Sequence, residues 1–157
     1  MERIVVFGNS GSGKSTISKR LSDSQGLPHM DLDSIAWEMG SNPPKGRAST
    51  LSQLEIDKFV EGNENWIIEG CYSDLLRHAM VSATKVIFLN PGINVCIENA
   101  RSRPWESHKY DSPEAQNANL DMLISWIRQY DQREDEFSLV THRNLFDSFS
   151  GVKCQYD

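Results

Sequence analysis

No stretch of this chain stays apolar for long. Its first apolar run, Arg3-Ile4-Val5-Val6-Phe7, is five residues, where a helix needs roughly 20 to span a bilayer. That length predicts no membrane-spanning segment and no membrane partner. Cysteine is scarce. Cys71, Cys96 and Cys154 are the only three, and none forms a C-x-x-C pair. An odd number without a framework excludes a disulfide scaffold and points to free thiols in a reducing compartment. Positive charge is not in excess either. The formal net charge is -6, which argues against general affinity for a nucleic-acid backbone and leaves room only for a local basic site. His108 has no Cys or His at metal-ligand spacing around it. Internal repeats, low-complexity tracts and an N-terminal signal-peptide pattern are also missing, so a cytoplasmic location is expected.

What is present is one ordinary domain's worth of sequence. A length of 157 residues accommodates one real core and is too short for two. Short apolar runs alternate with helical spacings. Strands are expected at 3–7, 29–33, 66–70, 85–89 and 152–156, the second ending in carboxylates. Helices are expected over 16–24, from a cap at Ser49 or Thr50, from a cap at Ser73, over 93–102, over 114–132 with Leu120, Leu123, Ile124 and Ile127 as its stripe, and over 138–149. Ser34 to Met39 could add a turn of helix, and Gly40 to Gly46 reads as a loop. Trp37 and Trp126 read as packing residues. Strands that alternate with helices build a parallel sheet covered on both faces, and such sheets bind ligands at the carboxyl ends of their strands.

The most informative stretch follows the first strand. Gly8-Asn9-Ser10-Gly11-Ser12-Gly13-Lys14-Ser15 reads G-x-x-x-x-G-K-[ST], with Thr16 opening a helix behind it. This is the phosphate-binding P-loop in its strand–loop–helix context. Glycines let the backbone approach a phosphate, the loop N–H groups form an anion nest, Lys14 supplies a charge for the β- and γ-phosphates and Ser15 a hydroxyl for Mg²⁺. The expected cofactors are therefore ATP and Mg²⁺.

Other strand ends bring polar groups to the same rim. Asp31 and Asp33, two apart on one strand, would face the same way. Asp31 suits Mg²⁺ and Asp33 suits an attacking hydroxyl; either could instead cap the next helix, Asp33 especially. Glu69 could hold a substrate or Mg²⁺-bound water, or form a structural salt bridge. Gly70 could let a substrate approach the backbone. Arg101 and Arg103 could stabilise the charge of phosphoryl transfer, or simply complement a helix dipole. Asn90 ends the fourth strand on this rim. Arg128 and Arg133 belong to the next helical region, and at least one of them reads as a solvated face residue. Trp105, His108, Lys109 and Tyr110 have the composition of a lid over a nucleotide, or of a partner-binding loop.

With these residues in view, the chain resembles the nucleoside-monophosphate-kinase and shikimate-kinase group of P-loop proteins. Within it, the likeness is nearest to the adenylate-kinase-like branch called topology modulation proteins. The resemblance is carried by Gly8 to Thr16, Leu32-Asp33, Trp66 to Tyr72, and Val86 to Leu89 followed by Arg101 and Arg103. It implies a three-layer P-loop NTPase fold, with a five-stranded parallel sheet in the order 2-3-1-4-5 flanked by helices. It also implies an ATP-Mg²⁺ site, arginines in a lid, and a substrate pocket over Asp33 and the following loop. The D-x-D of Asp31 and Asp33 looks like that of shikimate kinases. Gly70-Cys71-Tyr72, however, stands where those enzymes carry three glycines, and the adenylate-pocket pattern of adenylate kinases is missing.

The expectation is a single P-loop kinase-like domain over 1–157, with a lid around 101–119. It would move the γ-phosphoryl group of ATP to a small metabolite or nucleotide acceptor. Lys14, Asp33, Arg101 and Arg103 would serve transfer; Ser15 and Asp31 the metal; Asp33, Glu69 and Gly70 the acceptor. The partners would be a nucleotide and a small molecule, and the chain a monomer or homodimer. The alternatives are an ATP-dependent regulatory or binding protein with little or no kinase activity, and a simple NTPase.

Overall fold

Ile4, Val5, Val6 and Phe7 are all buried, as required of a strand covered on both faces. They lie on β1 (Arg3–Gly8), the middle strand of the sheet. In the computed structural model, which describes residues 1–37 and 46–157, the chain continues through α1 (Lys14–Gln25), β2 (His29–Asp31), a 3-10 turn (Leu32–Ser34), α2 (Ser49–Gly62), β3 (Trp66–Gly70) and α3 (Ser73–Met80). Then follow β4 (Lys85–Leu89), α4 (Ile93–Arg101), α5 (Pro113–Arg128), α6 (Leu139–Ser148) and β5 (Val152–Tyr156). The five strands pair in parallel in the order β2-β3-β1-β4-β5. The expected three-layer architecture is therefore the observed one.

Strand alternation sorts the core. Val5, Phe7, Trp66, Ile68, Val86 and Phe88 face Ile56 of α2, Leu76 and Ala79 of α3, and Leu145 of α6. Ile4, Val6, Ile67, Ile87 and Leu89 face the other way, onto Ile17 and Leu21 of α1. A third cluster joins α4 to α5 through Cys96, Ile97, Ala100, Ile124 and Ile127. Each fully buried side chain of this size contributes about 1.5–3 kcal/mol, so the sheet and its two covers hold the rim above them in place. The three cysteines are free thiols.

Several local expectations are corrected. The second strand ends at Asp31, and Asp33 sits in the 3-10 turn. The Asp31 carboxylate accepts the Asp33 N–H at 2.9 Å; an Asx-type turn of this kind stops a ladder. Asp31, not Asp33, is thus the cap. Neither Ser49 nor Thr50 caps α2, which follows Ala48 without a side-chain cap. Ser73 is the first residue of α3 rather than its cap, and its hydroxyl donates to the Glu136 carbonyl. The long helix α5 ends at Arg128 because the chain turns there and buries Tyr130. Trp37 is 45% exposed, not a core residue, whereas Trp126 packs edge-on against Phe137. Met39 and most of the Gly40–Gly46 loop lie outside the described residues.

Candidate active site

The glycine loop joins β1 to α1. Gly13 takes the left-handed conformation at the helix start (φ 98°). At Gly11 (φ +79°) a Cβ would stand 2.3 Å from the Cys96 carbonyl oxygen, so only glycine lets the loop close on α4. Asn99 of α4 donates to the Gly11 carbonyl at 2.7 Å, and Asn9 donates to the Ile127 carbonyl of α5 at 3.3 Å. Asn9 and Ser12 are buried, and the Ser12 hydroxyl has no hydrogen-bond partner among the described residues. The first α-helical bond runs from the Ile17 N–H to the Gly13 carbonyl. The preceding N–H groups therefore have no acceptor within the helix. Lys14 Nζ donates to the Asn9 carbonyl at 2.7 Å. A buried hydroxyl, a row of N–H groups and an ammonium at one helix start suit an anionic phosphate chain.

Glu69 lies at the centre of the rim, fully buried. The Ser15 hydroxyl donates to Glu69 Oε1 at 2.6 Å, and His29 Nε2 meets Oε2 at 3.1 Å. Burial pushes the Glu69 carboxyl up, but these two bonds outweigh it and hold the pKa below its ordinary value. The same bond to Glu69 raises His29. The β2–β3 register sets Asp31 beside Glu69. Burial, then the charges of Asp33 and Glu69, raise Asp31. Ser15 thus meets Glu69, while the Asp31 carboxylate holds the Asp33 N–H. No cluster of three or more His, Cys, Asp or Glu arranged to hold a metal occurs among the described residues. One or two carboxylates beside a hydroxyl is nonetheless the protein share that Mg²⁺ takes when phosphates complete its shell, so Ser15, Glu69 and Asp31 fit the ion.

A second cluster on the rim is built around Asp33. Tyr72 donates its phenol hydrogen to Asp33 Oδ1 at 2.5 Å, and the Trp37 indole N–H donates to Tyr72 Oη at 3.1 Å. Lys109 Nζ lies 2.9 Å from Asp33 Oδ2 and 3.1 Å from Glu106. Burial alone would raise the Asp33 carboxyl, but the Lys109 charge and the Tyr72 bond reverse this and lower it. Burial raises the neighbouring Cys71 thiol to about 12. Gly70 lies under Leu32, where a Cβ would come within 2.8 Å of that side chain. It allows β3 to pack against the 3-10 turn.

Arg101 pairs with Glu98 at 3.1 Å, and Arg103 with Glu106 at 3.1 Å. Both line a small cavity of about 20 Å³ with Tyr110 and Gln116. Of Arg128 and Arg133, Arg128 is the exposed face residue and Arg133 is half-buried. Its guanidinium lies 4.3 Å over the Trp126 ring, with Nη1 on the Trp126 carbonyl at 2.7 Å. Sequence reading passed over His29 and Asn99, and gave Lys109 no partner. Nothing local to Lys109 signals Asp33. Tyr72 was visible only as part of the Trp66–Tyr72 motif.

No curated protein matches the chain. Among solved structures it is similar to a shikimate kinase from Bacteroides thetaiotaomicron, at 20% identity and a TM-score of 0.56 over 99% of this chain and 86% of that one. It is also similar to a sugar kinase from Janibacter sp. HTCC2649, at 15% identity and 0.52 over 99% and 85%. These likenesses show a shared fold, that of P-loop kinases of the shikimate kinase and adenylate kinase-like group. The sequence model of one family, described as AAA domain, matches residues 4–120, which is most of the chain and takes in the loop, Asp31, Asp33, Glu69 and Lys109: the chain belongs to the AAA domain family.

Proposed function

We propose that this chain is an ATP-dependent phosphotransferase acting on a small hydroxyl- or phosphate-bearing acceptor. It would work as one kinase-like domain over 1–157, with a lid around 101–119. The observation that carries this reading is the meeting, on one rim, of the Ser15–Glu69 pair below the glycine loop and the Asp33 carboxylate beside it. One side suits a donor phosphate chain and the other an attacking hydroxyl.

Residues Gly8 to Thr16 hold the phosphates, through N–H groups and Lys14. Ser15, with Asp31 and Glu69, holds Mg²⁺, which when bound neutralises charge on the transferring group. Asp33, kept ionised by its neighbours, orients the acceptor hydroxyl and takes its proton late in transfer. Glu69 and Gly70 support that side of the pocket. Arg101 and Arg103 leave their glutamates and screen the developing charge as the lid closes. The setting is cytoplasmic, with a nucleotide and a small molecule as partners, as monomer or homodimer.

A second reading has support in the Lys109–Asp33 ion pair, which engages the acceptor carboxylate with the protein's own lysine. On this reading nucleotide binding switches the lid segment and no acceptor is phosphorylated. A screen of metabolites with ATP, using Lys14→Ala as the control, separates the two. Phosphorylated product in the wild type alone supports the kinase. Equal product in both proteins overturns the assigned mechanism, and nucleotide binding without product across a broad panel favours the switch.

A further inference from the structure

The most buried histidine is not among the rim residues. His142 of α6 is fully buried, edge-on against the stacked rings of Phe7 and Phe88, yet both of its ring nitrogens are engaged. Nε2 lies 2.9 Å from the Cys71 carbonyl oxygen and Nδ1 lies 2.7 Å from the Tyr130 hydroxyl. A carbonyl can only accept, so Nε2 carries the hydrogen. Nδ1 is then an acceptor, and Tyr130 donates to it. The tautomer and the direction of both bonds follow from the partners.

The two ends of this chain of bonds belong to the two halves of the site. Cys71 precedes Tyr72, whose hydroxyl holds Asp33. Tyr130 follows the end of α5, where the Ile127 carbonyl holds Asn9 of the glycine loop. The linking segment 129–138 also lies against the acceptor wall, with the Ser73 N–H on the Glu136 carbonyl and Phe137 edge-on to Tyr72 at 5.4 Å. We propose that His142 is a positioning residue, and that the Tyr130–His142–Cys71 chain of hydrogen bonds sets Tyr72, and through it Asp33, in register with the phosphate loop. A residue serving only to fill the core would have no need of a polar ring there. An apolar side chain of similar size would fill the same space without two directed bonds.

The catalytic consequence rests on the kinase reading, so the first readout does not depend on it. In the full chain labelled with 15N, the Trp37 indole N–H reports the Tyr72 hydroxyl it donates to, and Trp37→Phe assigns its signal. His142→Leu removes both bonds while keeping an apolar filling. Tyr130→Phe is the milder change; it frees Nδ1 and loosens the tautomer. Both are expected to shift the Trp37 signal. His142→Gln, which keeps an N–H for the Cys71 carbonyl, is expected to bring it back toward the wild-type position. Phe146→Leu, a packing change on the same helix, is expected to leave it in place.

The second readout is ATP turnover, with water or an identified acceptor. Misplaced groups cost about tenfold to a hundredfold in rate. His142→Leu should therefore lose turnover on that scale while its KM for ATP stays within about twofold, as expected for an interaction that acts on the transition state. An unmoved Trp37 signal in folded His142→Leu and Tyr130→Phe overturns the proposal. So does a loss that His142→Gln fails to relieve. If wild-type protein turns over no ATP across a broad panel of acceptors, the kinase reading fails and the indole signal alone decides on His142.

Discussion

A buried carboxylate such as Glu69 would hold its proton in an apolar setting. Here a serine hydroxyl and an imidazole on its two oxygens keep it ionised. Replacing it with Gln keeps the shape and removes the charge. Under the reading proposed above, Glu69→Gln weakens Mg²⁺-dependent nucleotide binding by about tenfold or more and leaves metal-free binding nearly unchanged. Calorimetric titration of ATP with and without Mg²⁺ checks this; equal loss in both arms would remove Glu69 from the metal side. Residue-scale chemistry was half legible in the sequence. Lys14 and Ser15 announce themselves through a motif. The partner of Ser15 stands 54 residues away, and only the β1–β3 register brings the two together.

Among the elements, the least regular is the most consequential. The stretch between α4 and α5 pairs its Arg103 with Glu106 and sends Lys109 to the Asp33 carboxylate. Lys109→Met removes that charge and leaves burial less opposed. The Asp33 carboxyl pKa is therefore expected to rise, as read by 13C titration of labelled protein. A pKa that stays put would show that Tyr72 and Lys14 suffice. The three central strands, β1, β3 and β4, were legible in sequence because buried parallel strands are continuous apolar runs, whereas the more exposed β2 was drawn two residues too long. Helix starts were less legible. Serines at 49 and 73 looked like caps, but one follows an uncapped alanine and the other serves the Glu136 carbonyl.

At the scale of the whole molecule, the buried His142 makes stability depend on pH. Burial depresses its pKa from 6.5 to about 4. The unfolded chain therefore takes up a proton below pH 6.5 that the folded chain takes up only near 4. Stability is undiminished above 6.5 and falls through that window as pH drops, by about 3 kcal/mol in all. His142→Gln lacks this titration. Urea unfolding at several pH values should show the wild type losing more stability than the variant over this range, and parallel losses would assign the acid sensitivity elsewhere.

The sequence by itself determined the alternation of elements, the phosphate loop and the chemical character of the rim, because each is written in neighbouring residues: an apolar run, a glycine spacing, a carboxylate at a strand end. The tertiary structure decided which of these groups meet. It set Glu69 on Ser15, Lys109 and Tyr72 on Asp33, and His142 between Cys71 and Tyr130. Such pairings depend on strand order, helix docking and the burial that makes a hydrogen-bond partner obligatory, and none of these is a property of adjacent residues.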